Sequence, residues 1–289
     1  MHYSGSVYRP PSEAYSLIVQ CTLGCSHNRC AFCIMYKAKQ FSINPLEQVL
    51  SDLAEARAMY PRVERIFLAD GDALILPMDY LLAVLDFIRE KFPECERVSA
   101  YASTKALMRK SDEELKTLRA RGLAMVYVGL ESGCEDILKR YDKGNTVEEI
   151  VTNSIRAKQA GMTLSITAIN GMGGREESER HAIETAAALS RIKADYVAML
   201  TLRVYTGTPL HDWIERGELT MLGPKELAAE NRILLSHIDS DGSVFRSNHA
   251  SNYLPLKGTL NRDREALIEQ IDKALAGEVR FRRAVELGL

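Results

Sequence analysis

Three cysteines within nine residues, Cys25, Cys30 and Cys33, are the side chains whose type and spacing promise chemistry. They lie in the stretch Gly24-Cys25-Ser26-His27-Asn28-Arg29-Cys30-Ala31-Phe32-Cys33, just after an apolar run, Ser16-Leu17-Ile18-Val19-Gln20. Three thiolates on one loop can hold three irons of a [4Fe–4S] cube and leave the fourth iron open to bind a second molecule, whereas a closed four-thiolate cluster mainly passes electrons. Cys21 stands just upstream, so zinc is the obvious rival; four-cysteine zinc sites, however, usually pair two knuckles across a longer span. Cys21 falls in the strand end or the turn after it, either as a small core residue or as an alternative ligand. The eight-residue gap between Cys21 and Cys30 favours Cys25 as the first ligand.

The elements that must position this loop are legible as an alternation. Short β-branched runs at 15–20, 64–69, 96–101, 124–130, 163–170 and 195–204 read as strands. Between them, Leu46, Val49, Leu50 and Leu53, and again Leu81, Val84, Leu85 and Ile88, recur at i, i+3, i+4, i+7 and mark helix faces. Pro45 and Pro77 stand where those helices begin, as a fixed φ and a missing N–H favour. Further helices are expected near 112–121, 146–160, 176–191 and 224–238. Six strand-then-helix units imply a parallel sheet with right-handed crossovers, either doubly wound or curled into a barrel, with function at the carboxyl ends of the strands. Segment 241–260, rich in Ser, Asn and Gly, reads as a loop. A final helix follows, with Leu267, Ile271, Ala274 and Leu275 on one face.

The phrase Gly24-Cys25 … Cys30-Ala31-Phe32-Cys33 resembles the cluster loop of the radical S-adenosylmethionine (SAM) enzymes. Phe32 matches the aromatic residue that precedes the last cysteine in that family. Cys25 and Cys30 are one residue further apart than the usual C-x3-C-x2-C. The nearest likeness is to the cores of the anaerobic coproporphyrinogen oxidase and the methylthiotransferases. The resemblance runs from about 15 to 215. It implies a partial (β/α)6 barrel of the TIM type over 1–215, with a C-terminal helical and loop extension over 216–289 packed on it. It also implies Cys25, Cys30 and Cys33 as ligands of a [4Fe–4S] cluster whose open iron chelates SAM. One electron then cleaves SAM to a 5′-deoxyadenosyl radical that takes hydrogen from the substrate, while the protein binds, orients and excludes water.

The same comparison assigns further cofactor contacts, each beside a plainer reading. Asp70-Gly71-Asp72 stands where the family carries a Gly-Gly-Glu turn for the SAM ammonium, and is also an ordinary strand-to-helix turn. Ser99, Tyr101 and Ser103 share one face of the third strand, turned to the cofactor or to the core. Glu131, in Gly129-Leu130-Glu131-Ser132-Gly133, resembles the G-x-E-S/T-G segment and is a candidate for SAM's ribose or amino group. Arg175, after the glycine-rich turn 171–174, is a candidate partner of SAM's carboxylate or a surface charge. His181 reads as a helix residue rather than a base. Arg203 and Tyr205 near the Gly207-Thr208-Pro209 turn line a cavity or pack, and Tyr205 is a catalytic candidate. The segment Ser247-Asn248-His249-Ala250-Ser251-Asn252-Tyr253 is either a solvated loop or a substrate lid, with His249 the second catalytic candidate and Asn248 or Asn252 beside it.

Composition bounds the partners. A net charge of −2 over 289 residues gives no global reason to wrap a polyanion, so nucleic acid is disfavoured. No apolar run is long enough to span a membrane, and the polar start Met1-His2-Tyr3-Ser4 is not read as a signal peptide. The expected location is the cytoplasm, where six cysteines are poor disulfide candidates. With no second cysteine cluster and no recognisable RNA-binding or cobalamin module, the expected substrate is a small molecule. Lys257, Arg280, Arg282 and Arg283 suit an anionic one; a tetrapyrrole is suggested only by the coproporphyrinogen oxidase likeness. A flavodoxin- or ferredoxin-like electron donor is implied. Two other classes stay open: an Fe–S relay or sensor without SAM chemistry, and a zinc-stabilised RNA-binding protein.

Overall fold

Short strands, most of them parallel, alternate with helices along most of the chain. The computed structural model describes residues 1–287. Its elements, in order, are β1 (Leu17–Gln20), β2 (Thr22–Leu23), β3 (Ser42–Ile43), α1 (Leu46–Met59), β4 (Arg65–Ala69), α2 (Met78–Lys91), β5 (Arg97–Tyr101), α3 (Thr104–Met108), α4 (Asp112–Ala120), β6 (Leu123–Glu131), α5 (Glu135–Arg140), α6 (Val147–Gln159), β7 (Thr163–Asn170), α7 (Ser178–Ile192), β8 (Tyr196–Thr201), α8 (Pro209–Glu215), α9 (Pro224–His237), β9 (Val244–Ser247), β10 (Leu256–Thr259) and α10 (Arg264–Leu275). This is the mixed α/β fold that the alternation predicts, and the six strands lie where the β-branched runs place them.

The chain divides into two compact units. The first comprises Met1–Asn28, Cys33–Val128 and Asn153–Leu164. In it β1, β4, β5 and β6 lie side by side and parallel, with Val19 opposite Leu68, Phe67 opposite Ser99 and Ala100 opposite Val126. Pro45 and Pro77 are the N-caps of α1 and α2. Val49 and Leu53 of α1, and Leu81, Val84, Leu85 and Ile88 of α2, are buried along their stripes. Burying an aliphatic side chain of this kind contributes about 2 kcal/mol each. One sheet face gathers Phe67, Tyr101 and Tyr127 edge to face, with centroids 5.1 to 6.1 Å apart. Ser111 and Glu114 close a reciprocal capping box that starts α4.

The second unit comprises Arg29–Phe32, Gly129–Thr152 and Ser165–Leu289. Here β7, β8 and β9 run parallel, and β10 pairs antiparallel with β9. Helix α9 packs on α7 and α10. The loop expected over 241–260 therefore contains two strands. Val244 and Arg246 alternate with the buried Phe245 and Ser247, and the backbone pairing comes from the exposed edge of β8. Val244 and Phe245 favour a strand, but two such residues are too few to show a period, and the pairing to β8 completes it.

Candidate functional site

The cysteine loop leaves β1 through a tightly bonded exit. The Cys21 N–H donates to Ala69 O at 2.6 Å, Asp70 N–H to Thr22 O at 3.2 Å and Gly71 N–H to Gly24 O at 3.0 Å. Cys21 is fully buried, and burial pushes its thiol up to about 12. It behaves as a small neutral core residue. Cys25, Cys30 and Cys33 are half-buried thiols. Among the described residues, no three or more His, Cys, Asp or Glu side chains are gathered closely enough to hold a metal ion.

Two buried carboxylates meet the first arm of this loop. Asp70 Oδ2 accepts from Gln20 Nε2 at 3.0 Å, from the Gly24 N–H at 3.1 Å and from Lys39 Nζ at 2.7 Å. Its Oδ1 is buried without a partner. Asp72 accepts from the Ser26 hydroxyl, from the Ser103 hydroxyl at 2.8 Å and from the Ser103 N–H at 2.9 Å. Burial raises the Asp72 pKa, against those three donors. Gly71 lies against Tyr36: a Cβ at this position would stand 2.6 Å from the ring, so no larger residue fits without displacing it. Ser103 also caps α3, accepting from Ala106 N–H at 3.0 Å. Ser99 is buried, with its hydroxyl 3.5 Å from Ile66 O, and Tyr101 belongs to the aromatic cluster.

The loop's central residues, 29–32, group with the second unit. Ala31 N–H donates to Tyr141 O at 2.9 Å, and Phe32 packs 6.0 Å from the Tyr141 ring, which meets Trp213 at 5.2 Å. Phe32 thus belongs to the apolar cluster of Ile137, Tyr141, Met172 and Leu210.

Glu131, at the end of β6, takes a left-handed φ of +63°, an uncommon and costly conformation for a side chain of its size. Its carboxylate pairs with Lys143 Nζ at 2.9 Å and folds back over Gly129, where a Cβ would lie 2.0 Å from Oε1. At the end of β7, Asn170 is buried with neither amide atom partnered. The following turn is held by Glu230, whose buried carboxylate accepts from Gly171 N–H at 2.6 Å and Ser178 Oγ at 2.6 Å. His181 is buried with its Nδ1 3.5 Å from Glu230 Oε1. Arg175 lies exposed and paired with Glu226 at 2.6 Å.

At the end of β8, Thr201 donates to Asn252 Oδ1 at 2.8 Å, and Asn252 Nδ2 donates to Met199 O at 2.8 Å. His249 Nδ1 accepts the Ser251 N–H at 3.1 Å, and burial lowers its pKa. Asn248 is exposed. Tyr205 is half-buried, its carbonyl accepting from the Thr208 hydroxyl at 2.7 Å. The anchors that sequence reasoning passed over are Lys39, Ser26, Lys143, Asn170 and Glu230. Of these only Asn170, a polar residue closing an apolar strand run before a glycine turn, carries a local signal.

Residues 19–189 match the Radical SAM superfamily. The chain is 25% identical over 203 residues to the heme chaperone HemW of Bacillus subtilis (strain 168), covering 69% of this chain and 52% of that protein, so it spans about half the length of this curated relative. Among solved structures, the radical S-adenosylmethionine methyltransferase TsrM from Kitasatospora setae superposes with a TM-score of 0.57 at 20% identity, over 71% of this chain and 39% of that one. Coproporphyrinogen III oxidase (HemN) from Escherichia coli superposes with a TM-score of 0.55 at 15% identity, over 76% and 52%. These likenesses carry the fold, and the family match covers the cysteine loop and the ends of β1, β4, β5, β6 and β7. The chain belongs to the radical SAM superfamily, whose cofactors are a [4Fe–4S] cluster and S-adenosylmethionine.

Proposed function

We propose that the chain is a radical SAM enzyme acting on a small anionic substrate of the tetrapyrrole class. The observation that carries the reading is the Cys25, Cys30, Cys33 loop at the exit of the first parallel strand, inside the region matched by the superfamily. The tetrapyrrole class rests on the printed activities of the relative and of the fold neighbour, a heme chaperone and a coproporphyrinogen oxidase. Residues 1–215 form the catalytic core in this reading and 216–289 its extension. The location is the reducing cytoplasm, and a flavodoxin- or ferredoxin-like protein supplies electrons. Among the described residues, no helix is long and apolar enough to cross a membrane. Family membership weighs against the zinc and simple relay readings.

The residues present fit the cofactors by the chemistry of the donor set: three half-buried thiols on one loop are the soft donors that iron–sulfur clusters take. Cys25, Cys30 and Cys33 would hold the cluster, which when bound supplies the single electron that cleaves SAM. Glu131, held over Gly129 by Lys143, offers acceptors to hydroxyl or ammonium groups. Gly71, Ser99, Phe32 and Arg175 complete the proposed cofactor set, and Tyr205 and His249 are the proposed substrate-side residues.

The test is anaerobic reconstitution with iron and sulfide, then dithionite and SAM, with and without coproporphyrinogen III, followed by mass spectrometry for 5′-deoxyadenosine. Product that disappears in Cys25→Ala, Cys30→Ala and Cys33→Ala, and survives Cys21→Ala, is expected. A fully loaded cluster that yields no 5′-deoxyadenosine under either condition, in a protein that binds heme, would favour heme carriage without SAM cleavage, the second reading that the relative's name supports.

A further inference from the structure

The geometry points to Asp70 and Asp72 as positioning residues that hold Cys25 from both sides, rather than as acceptors for the amino group of SAM. This deepens the function proposed above and rests on it for the identity of the cluster. The residue before Cys25 is fixed twice: Gly24 donates its N–H to Asp70 Oδ2 at 3.1 Å and accepts the Gly71 N–H at 3.0 Å. The residue after Cys25 is fixed once, by the Ser26 hydroxyl on Asp72 Oδ2. Both carboxylates are wholly buried. Each is engaged by three protein donors: Gln20, Gly24 and Lys39 for Asp70, and Ser26 with two groups of Ser103 for Asp72. Lys39 already neutralises Asp70, at 2.7 Å.

A ligand held by its two neighbours loses little freedom when it binds metal, which is what a second layer of hydrogen bonds does for a metal site. A carboxylate meant for a ligand's ammonium would need an oxygen open to the site. The single oxygen without a protein partner, Asp70 Oδ1, has no solvent access. The strand-end turn Asp70-Gly71-Asp72 therefore serves the cysteine arm. Its two acids share a function because their backbone positions, two residues apart, face the two residues that flank Cys25.

The experiment compares the full-length wild type with Asp70→Asn, Asp72→Asn and Ser26→Ala. Ser26→Ala removes one half-buried hydroxyl and leaves both buried acids in place, so it keeps the test readable if an acid variant folds poorly. Hydrogen exchange of the peptide spanning 22–26 is read first, on cluster-free protein. Cluster bleaching by EDTA after anaerobic reconstitution is read next, and SAM affinity of the loaded fraction by equilibrium dialysis last. Losing a hydrogen bond to a charged group should speed exchange in that peptide about tenfold. Bleaching should accelerate in parallel, with SAM affinity changed less than twofold. Unchanged exchange and bleaching with SAM affinity weakened tenfold would overturn the proposal and return the acids to the SAM ammonium. No change in any readout would overturn it as well. If the wild type takes up no cluster, the proposed function fails on that result, and the exchange of the cluster-free protein still decides whether the acids hold the Cys25 arm.

Discussion

Lys39 Nζ lies 2.7 Å from Asp70 Oδ2, an ion pair whose carboxylate is fully buried and whose ammonium is almost so. A buried carboxylate needs this partner, because desolvation of an unpaired charge costs far more than a surface pair returns. Lys39→Met should therefore destabilise the fold by about 3 kcal/mol. Urea denaturation followed by circular dichroism measures it, and a loss below about 0.5 kcal/mol would mean that Gln20 and Gly24 satisfy Asp70 alone.

Cys21 and Cys25 should differ sharply toward an alkylating agent. The Cys21 thiol, raised to about 12 by burial, stays protonated and shielded at pH 8, whereas Cys25 is partly exposed. Iodoacetamide on cluster-free protein, read by peptide mass spectrometry, should modify Cys25 well before Cys21. The same shift has a stability consequence. Below the ordinary thiol value of 9 both folded and unfolded chains keep the proton. Above it the unfolded chain releases the proton first, so Cys21 lowers stability as pH rises from 9 toward 12. In Cys21→Ala this part of the alkaline loss should vanish.

Two glycines beside Glu131 should respond differently to alanine. At Gly129 the added Cβ meets only the far ends of Glu131 and Lys143, which can swing away. At Gly133 it would lie 2.2 Å from the backbone carbonyl of Glu184 and 2.5 Å from Thr185 Cα, which cannot. Gly133→Ala should cost about 3 kcal/mol and Gly129→Ala under about 1 kcal/mol. In the proposed site, Gly129→Ala should nevertheless weaken SAM binding, because it dislodges the Glu131 carboxylate. Thermal melts and SAM dialysis on the two variants separate these effects; equal melting losses would contradict the geometry.

Glu230 supports the turn after β7 through the Gly171 N–H and the Ser178 hydroxyl. Glu230→Ala removes both acceptors and leaves His181 facing a void, at a cost of about 3 kcal/mol. Glu230→Gln keeps one acceptor and should recover about half. A chemical-denaturation midpoint for Glu230→Gln no better than for Glu230→Ala would show that the second oxygen, not the shape, carries the contact.

The alternation of strands and helices was legible in the sequence because periodicity is local: Leu81, Val84, Leu85 and Ile88 mark their buried face within two turns. The cysteine spacing was legible for the same reason, since three donors on nine residues need no tertiary partner to be recognised. Helices α3, α5 and α8 were missed; at five to seven residues each, they are too short to show a period. Strands β9 and β10, of four residues each, were missed because so short a run among Ser, Asn and Gly shows no clear alternation; β9 is completed by pairing with β8 and β10 by pairing with β9. Asp70 and Asp72 stood out by position, but what their oxygens touch depended on partners far along the chain: Lys39 lies 31 residues away and Ser26 lies 46. Glu230, 59 residues from Gly171, carried no mark of its role at all. Sequence alone brought out the thiols that could hold a metal and their resemblance to the radical SAM cluster loop, because a local spacing is recognisable without tertiary partners. Only the tertiary structure decided which carboxylates are buried and what engages them, because burial and hydrogen-bond partners are properties of the packed chain.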